Sequence, residues 1–221
     1  MTDNDPHDDP SDLDALIRRV DGERWMSSRF IADPQARADV IGLYAFDYEL
    51  GRAPKVASNP LIGEIRLTWW REALDEMFEG RPVRRHPTAE ALADVVARRG
   101  LERAALETLV EARYRELDPK PIEAAEALAW ARESAGQVAV LAARMLDPDS
   151  DPEPARAAGA AWALARAGHP FEGELRRARA ASALSSQAFP AVAHAALAGR
   201  AESSDFQKRL RLTWAVARGR L

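Results

Sequence analysis

Apolar residues recur at spacings of three and four along almost the whole chain of 221 residues, and no long run alternates with a period of two. This spacing is typical of amphipathic helices. A capping residue followed by proline marks helix starts at Asp33-Pro34 and Asn59-Pro60. We therefore predict an all-α fold with helices at 11 or 12 to 19, 34–53, 60–78, 87–99, 101–117 and 122–146, a loop at 147–154, and two or three shorter helices within 155–218.

The composition excludes several classes of protein. The chain has no cysteine, which excludes a disulfide framework, thiolate metal sites and a cysteine nucleophile. Its formal net charge of −4 gives no general attraction for a polyphosphate chain, so we expect no nucleic-acid partner. No stretch approaches the roughly 20 apolar residues that span a bilayer. We expect a cytoplasmic protein, located at the inner membrane only through peripheral contact.

The first ten residues differ from the rest of the chain. They contain four aspartates and two prolines. A secretory signal has a basic start and an apolar core, and a mitochondrial transit peptide is rich in arginine and poor in acids, so this segment fits neither. We predict a disordered acidic lead at 1–10 and a single helical domain at 11–221.

Acidic side chains on the helix that begins at Pro60 have the spacing of metal ligands. Glu72 and Glu76 lie four residues apart, as do Asp75 and Glu79. They lie opposite the apolar stripe, so we interpret them as the solvated face of an amphipathic helix. No two histidines have metal-ligand spacing on one helix face, and the chain has no P-loop, dinucleotide-binding or serine-hydrolase motif. We assign no catalytic residue and no metal ligand.

One set of segments is more specific than the composition. Ser28-Arg29-Phe30, Tyr44-Ala45-Phe46 and the run 59–74, which contains Trp69-Trp70-Arg71-Glu72-Ala73-Leu74, resemble the squalene/phytoene synthase family, and 133–137 and 158–164 fit it in the same order. The resemblance implies an isoprenoid-synthase-like helical bundle around a central cavity. Active members join two prenyl diphosphates head to head. Because the chain ends early, at Leu221, we expect a bundle trimmed at its C-terminal end, with a partly open cavity.

The resemblance also implies where metal ligands should lie. Active members hold Mg²⁺ with two aspartate-rich motifs, each with carboxylates four residues apart on a helix face. The first motif should follow Tyr44-Ala45-Phe46 directly, where the acid positions hold Gly51, Arg52 and Lys55. Asp47 and Glu49 are nearby, but two residues apart on a helix they diverge by about 200°. We also expect Pro54 to break the helix there.

The second motif should follow 158–164. Pro170 stands where an aspartate is expected, and Glu172 and Glu174 are again two residues apart. Ionising an allylic diphosphate requires neutralising several negative charges, which the metal cluster normally does. We therefore expect no Mg²⁺-dependent prenyl transfer and no cofactor.

The chain resembles a branch of the family without the aspartate motifs, which includes a mitochondrial assembly factor for respiratory complex I. The resemblance implies a non-enzymatic accessory protein whose partner is a respiratory-complex subunit or another assembly protein. Two alternatives stay open. A prenyl-diphosphate transferase with displaced acids, such as Glu72 and Glu76, would require Mg²⁺. An isoprenoid- or lipid-binding protein would use a residual pocket, for which the candidates are Arg29, Tyr44, Asp47, Glu49, Arg66 and Trp70.

The stretch 206–218 suggests a contact surface. Phe206, Leu210, Thr213 and Ala217 share one side of a helix, with basic residues and Trp214 close to them. Basic amphipathic helices with a tryptophan can lie on anionic membrane surfaces. A terminal helix docked on the bundle produces the same pattern, so peripheral membrane contact and simple docking both stay open.

Overall fold

The computed structural model describes residues 12–55, 59–180, 184–200 and 202–221. The predicted acidic lead at 1–10 lies outside this part of the chain. The described residues form helices and contain no strand, as predicted. The helices are α1 (Leu13–Val20), α2 (Gly22–Ser28), α3 (Pro34–Lys55), α4 (Pro60–Phe78), α5 (Pro87–Arg99), α6 (Arg103–Tyr114), α7 (Ala124–Glu133), α8 (Ala135–Leu146), α9 (Pro152–Arg166), α10 (Glu172–Ala180) and α11 (Asp205–Arg218), with short 3₁₀ segments at Arg115–Leu117, Phe189–Ala191 and Ala193–Leu197.

Local capping explains the helix boundaries that the sequence predicted correctly. The Asn59 side chain accepts a hydrogen bond from the Ile62 backbone N–H at 3.1 Å, and Pro60 occupies the first turn of α4. α5 begins at Pro87 and ends before Gly100, whose φ of 62° lies in the left-handed region that favours glycine. The predicted bounds 60–78 and 87–99 are confirmed.

Three predicted boundaries were wrong. Pro54 does not break α3: it lies in the last turn, where its missing N–H costs one hydrogen bond, and the helix continues to Lys55. The predicted helix 122–146 is two helices, because Ser134 leaves helical geometry with φ −94° and ψ −101°. The predicted loop 147–154 ends sooner, because Asp151 caps α9 and Pro152 begins it.

α3 is the central helix of the described part of the chain. It packs against α1, α4, α5, α6 and α8. From Asp39 to Asp47 every residue of α3 is buried, and most of them are apolar. Burial on all sides explains why this helix shows little amphipathic pattern in the sequence.

The second half of the fold depends on close contact between small residues. α8 and α9 form an extensive contact, and both are rich in alanine. At Gly159 the helices are so close that an added Cβ would meet the Ala135 carbonyl and lie 2.8 Å from the Ala139 Cβ. The absence of a side chain at Gly159 therefore sets the distance between α8 and α9.

No helix of the described ranges combines the length and the apolar character needed to cross a bilayer.

We predict that Gly159→Ala destabilises the protein by about 1–3 kcal/mol, because the new methyl group forces α8 and α9 apart. Gly173→Ala is the matched control: Gly173 lies on α10 with nothing within 4 Å of an added Cβ. Alanine there should stabilise the helix by about 0.5–1 kcal/mol. Urea unfolding of both variants measures the difference, and equal free energies of unfolding would contradict the close-contact explanation.

Candidate functional site

A buried carboxylate in the middle of α3 is the centre of the main polar cluster. Asp47 is 3% exposed and accepts hydrogen bonds from Arg24 Nη1 to its Oδ2 at 2.7 Å and from Arg113 Nη2 to its Oδ1 at 2.5 Å. Arg24 also pairs with Asp21, and Arg113 pairs with Glu116 at 2.6 Å. We call Asp21, Arg24, Asp47, Arg113 and Glu116 the central ion network. It connects α2, α3 and α6.

The charges of this network depend on one another. Burial alone would raise the pKa of Asp47, but the guanidinium groups of Arg113 and Arg24 outweigh burial and lower that pKa to about 2. Burial likewise opposes the charge of Arg113, yet Asp47 and Glu116 raise its pKa. The two guanidinium groups therefore keep the buried Asp47 carboxylate ionised at neutral pH.

Tyr44 lies beside the central ion network. Its ring is 1% exposed and faces the Arg24 guanidinium at 5.2 Å, and its hydroxyl donates to the Ala191 carbonyl at 3.4 Å. Burial raises the pKa of this hydroxyl. Tyr44 and Asp47 both contact protein groups on all sides, so neither side chain lines an open cavity.

A second buried cluster connects α2 to the C-terminal part of the chain. Glu23 accepts from Trp162 Nε1 at 2.7 Å and pairs with Lys208 at 3.0 Å. Ser27 donates to the Pro190 carbonyl at 2.7 Å and accepts from the His194 backbone N–H at 3.1 Å. These contacts hold α11 and the 3₁₀ segments against the bundle.

The positions that the resemblance gives to the first metal motif face the central ion network and the solvent. A Cβ added at Gly51 would lie 3.6 Å from Arg113 Cζ, so the guanidinium covers that face of α3. Arg52 is exposed and pairs with Glu49 at 3.1 Å, and Lys55 is also exposed.

Most acids near the expected second motif and on α4 are paired with arginines. Glu174 is buried and accepts from Arg132 at 2.5 Å, whereas Glu172 is exposed. Glu76 accepts from Arg84 at 2.7 Å, which lowers the pKa of Glu76. Ion pairs also join Glu72 of α4 to Arg84 in the segment after α4, Asp75 of α4 to Arg103 of α6, and Glu79 to Arg81 beyond the end of α4. Among the described residues, no group of three or more histidine or acidic side chains is placed to hold a metal ion.

Three of the six predicted pocket residues lie together in one cleft. Glu49, Arg66 and Trp70 line a cleft of about 240 Å³ between α3, α4 and the start of α5. The Trp70 ring packs edge-on against Trp69 at 4.9 Å and His86 at 5.3 Å. The cleft thus has aromatic walls, with the exposed Arg66 at its rim.

The other three predicted residues lie elsewhere. Tyr44 and Asp47 belong to the buried interior described above. Arg29 donates to Asp14 at 2.6 Å and covers the Trp25 ring at 4.7 Å, near the start of the described chain. The six candidates therefore fall in three separate places.

Sequence reasoning missed the basic half of the central ion network. Arg24 and Arg113 are 5% and 8% exposed, which is rare for arginine. One signal was available: Asp47 interrupts the buried run of α3, and a buried carboxylate requires a cation. Nothing in the sequence indicates which cation, since Arg113 is 66 residues away.

We predict that Asp47→Asn destabilises the fold by about 1.5–3 kcal/mol, because the buried Arg24 and Arg113 lose the carboxylate that they share and keep only Asp21 and Glu116 as charge partners. The lowered pKa of Asp47 stabilises the native state above pH 4, and this contribution is lost as the pH falls through about 2. Urea unfolding between pH 7 and pH 2 should show a smaller acid loss for the variant than for the wild type. Asp149→Asn, at an exposed loop position, is the control, and an equal loss of stability there would contradict the assignment.

Comparison with known proteins gives the chain a family. The squalene/phytoene synthase family profile matches residues 17–179. Curated relatives include proteins named "NADH dehydrogenase (ubiquinone) complex I, assembly factor 6". The protein of Rattus norvegicus is 33% identical over 106 residues, which cover 48% of this chain and 31% of the relative. The protein of Homo sapiens is 29% identical over 105 residues, which cover the same shares of the two chains. The chain therefore matches about a third of the length of these relatives.

Solved structures agree on the fold. A dehydrosqualene synthase crystallised with a ligand superposes with a TM-score of 0.75 at 13% identity, covering 93% of this chain and 94% of that one. Squalene synthase HpnC from Alicyclobacillus acidocaldarius superposes with a TM-score of 0.60 at 16% identity, covering 95% and 94%. These likenesses concern the helical architecture. With a profile match over most of its length and this isoprenoid synthase fold, the chain belongs to the squalene/phytoene synthase family.

Proposed function

We propose that this chain is a non-enzymatic accessory protein in the assembly of a membrane respiratory complex of the complex I type, and that it does not transfer prenyl groups. One observation carries the proposal. At the positions where the resemblance puts the acids of the first metal motif, the chain has Gly51, Arg52 and Lys55, and the Arg113 guanidinium covers Gly51.

The chemistry of prenyl transfer supports this reading. An allylic diphosphate leaves with several negative charges, which the family neutralises with Mg²⁺ held by carboxylates. Cations at the ligand positions repel Mg²⁺, and Gly51 offers no ligand atom. These positions do not fit the metal, so no catalytic step is assigned to it.

The remaining acids of this region already form ion pairs with arginines. Asp47 is held by Arg24 and Arg113, and Glu76 by Arg84. A carboxylate in such a pair must give up its guanidinium partner before it can ligate a metal, and for the buried Asp47 that leaves uncompensated charge. The same pairing of Glu72 and Glu76 argues against an enzyme with displaced acids.

The assembly role is supported by the curated relatives. Their printed names describe assembly factors of NADH dehydrogenase complex I, and they match this chain over 105–106 residues at about 30% identity. We extend that role to this chain as a proposal, with the partner being a subunit or another assembly protein of such a complex. We place the protein in the cytoplasm, in peripheral contact with the inner membrane.

We predict that the purified protein releases no diphosphate from farnesyl or geranylgeranyl diphosphate in the presence of Mg²⁺, because the charges that would hold the metal are inverted. Diphosphate release is measured against a buffer blank, with circular dichroism to show that the protein is folded. An authentic squalene synthase is the positive control. Release at enzymatic rates, abolished by Glu76→Gln, would instead establish the transferase with displaced acids.

We predict that deleting the gene in the organism that encodes it lowers membrane NADH dehydrogenase activity several-fold, with less assembled complex on a native gel. Re-expression of the wild type should restore both. Glu76→Gln should restore them equally well, because no catalytic carboxylate is needed. Unchanged amounts of assembled complex after deletion would contradict the assembly role.

A further inference from the structure

The outer face of α11 carries a stripe of large apolar side chains. Phe206, Leu210 and Trp214 follow one another at intervals of four residues and are 75%, 62% and 59% exposed. Leu212 and Ala215, on the opposite face, are buried against the bundle. The helix is therefore docked through one face and presents a second apolar face directly outward. Single exposed apolar side chains are common on protein surfaces, but three large ones in a row on one helix face indicate a contact surface.

The C-terminal residues of the chain have a net positive charge, although the net charge of the complete chain is negative. Residues 200–221 carry six basic and two acidic side chains, a net charge of +4, whereas the complete chain has −4. Lys208 pairs with Glu23. Within the described ranges, the other five basic residues form no ion pair with a carboxylate: Arg200, Arg209, Arg211, Arg218 and Arg220.

A groove of about 490 Å³ runs beside the stripe. Its lining combines apolar side chains with cations: Leu197, Arg200, Lys208, Leu210, Arg211 and Trp214. Arg211 is fixed in place, because its Nε donates to the Ala196 carbonyl at 2.6 Å. The groove thus offers an apolar wall and oriented guanidinium donors to a ligand that has both an acyl chain and an anionic group.

Two of the three cations that line the groove, Arg200 and Arg211, form no ion pair with a carboxylate, whereas the third, Lys208, pairs with Glu23. Burial lowers the pKa of Arg211, and the charges of Arg200 and Arg179 lower it further. Neighbouring cations without a carboxylate destabilise one another, and a bound anion would remove that repulsion. A phosphate matches the fork of guanidinium N–H donors.

We propose that α11 and this groove dock on an anionic phospholipid bilayer, with lipid phosphates at Arg200 and Arg211 and with Phe206, Leu210 and Trp214 in the boundary between headgroups and acyl chains. The stripe projects outward and has Arg209 on one flank and Arg218 on the other, the arrangement of helices that lie in a membrane interface. An acidic protein would match the charge equally, but a membrane interface matches both the cations and the outward apolar side chains of the stripe. This inference does not depend on the assembly role.

The test uses the full chain in flotation with vesicles of phosphatidylcholine and with vesicles in which about a third of the lipid is phosphatidylglycerol. The anionic vesicles should bind the protein at least about tenfold better, and the difference should shrink at high salt, which screens the attraction. Equal binding to both vesicles, or binding to neither, would overturn the proposal. So would full release of the protein by millimolar inorganic phosphate, since the ligand would then be free phosphate.

Two variants separate the charge from the apolar stripe. Arg200→Gln with Arg211→Gln should weaken partitioning by roughly 25-fold, at about fivefold per charge near an anionic surface. Leu210→Ser with Trp214→Ser should abolish flotation without unfolding the protein, since both side chains face solvent.

The matched control is Leu61→Ser with Ile65→Ser, which removes the exposed apolar pair of α4. Flotation should be unchanged in this variant. An equal loss of flotation in this control, or no loss in the α11 variants, would overturn the proposal. It would also be overturned if α11 bound an acidic peptide while the protein did not bind vesicles.

Discussion

The pairing of Asp47 with Arg24 and Arg113 is the interaction on which the rest of the structure depends. One carboxylate on the central helix α3 holds guanidinium groups from α2 and α6, and all three side chains are at most 8% exposed. Such a network contributes little net stability compared with an apolar core, but each member is costly to remove alone. It therefore links α2 and α6 to α3 through contacts that are costly to break one at a time.

The same network bears on function. In a fold whose enzymes surround a cavity with carboxylates and metal ions, the Arg113 guanidinium here covers the α3 face at Gly51, and Tyr44 and Asp47 are closed off by protein. The interior is thus used to hold the bundle together. Near the C-terminal end of the chain, by contrast, α11 presents large apolar and cationic side chains outward. This arrangement supports the proposed membrane contact through α11.

Local signals explain which parts of the fold could be predicted. α4 and α5 begin at Asn59-Pro60 and His86-Pro87, and their bounds followed from those residues and from glycine after the last turn. The error at Pro152 differs from the error at Ser134: Asp151-Pro152 is a local start signal of the same kind as Asp33-Pro34, whereas the boundary at Ser134 depends on tertiary packing. Ser134 ends α7 where Gly136 must approach the Arg156 backbone.

For the site, the sequence by itself determined the chemistry that is present: an all-α chain, no cysteine, and Gly51, Arg52 and Lys55 where related enzymes are expected to carry acids. It also determined the apolar and basic spacing of α11. Only the tertiary structure decided which charges meet, because the residues paired with Asp47 lie 23 and 66 positions away. It likewise decided that Glu49, Arg66 and Trp70 share a cleft while Arg29 does not, since side chains on different helices are brought together only by packing.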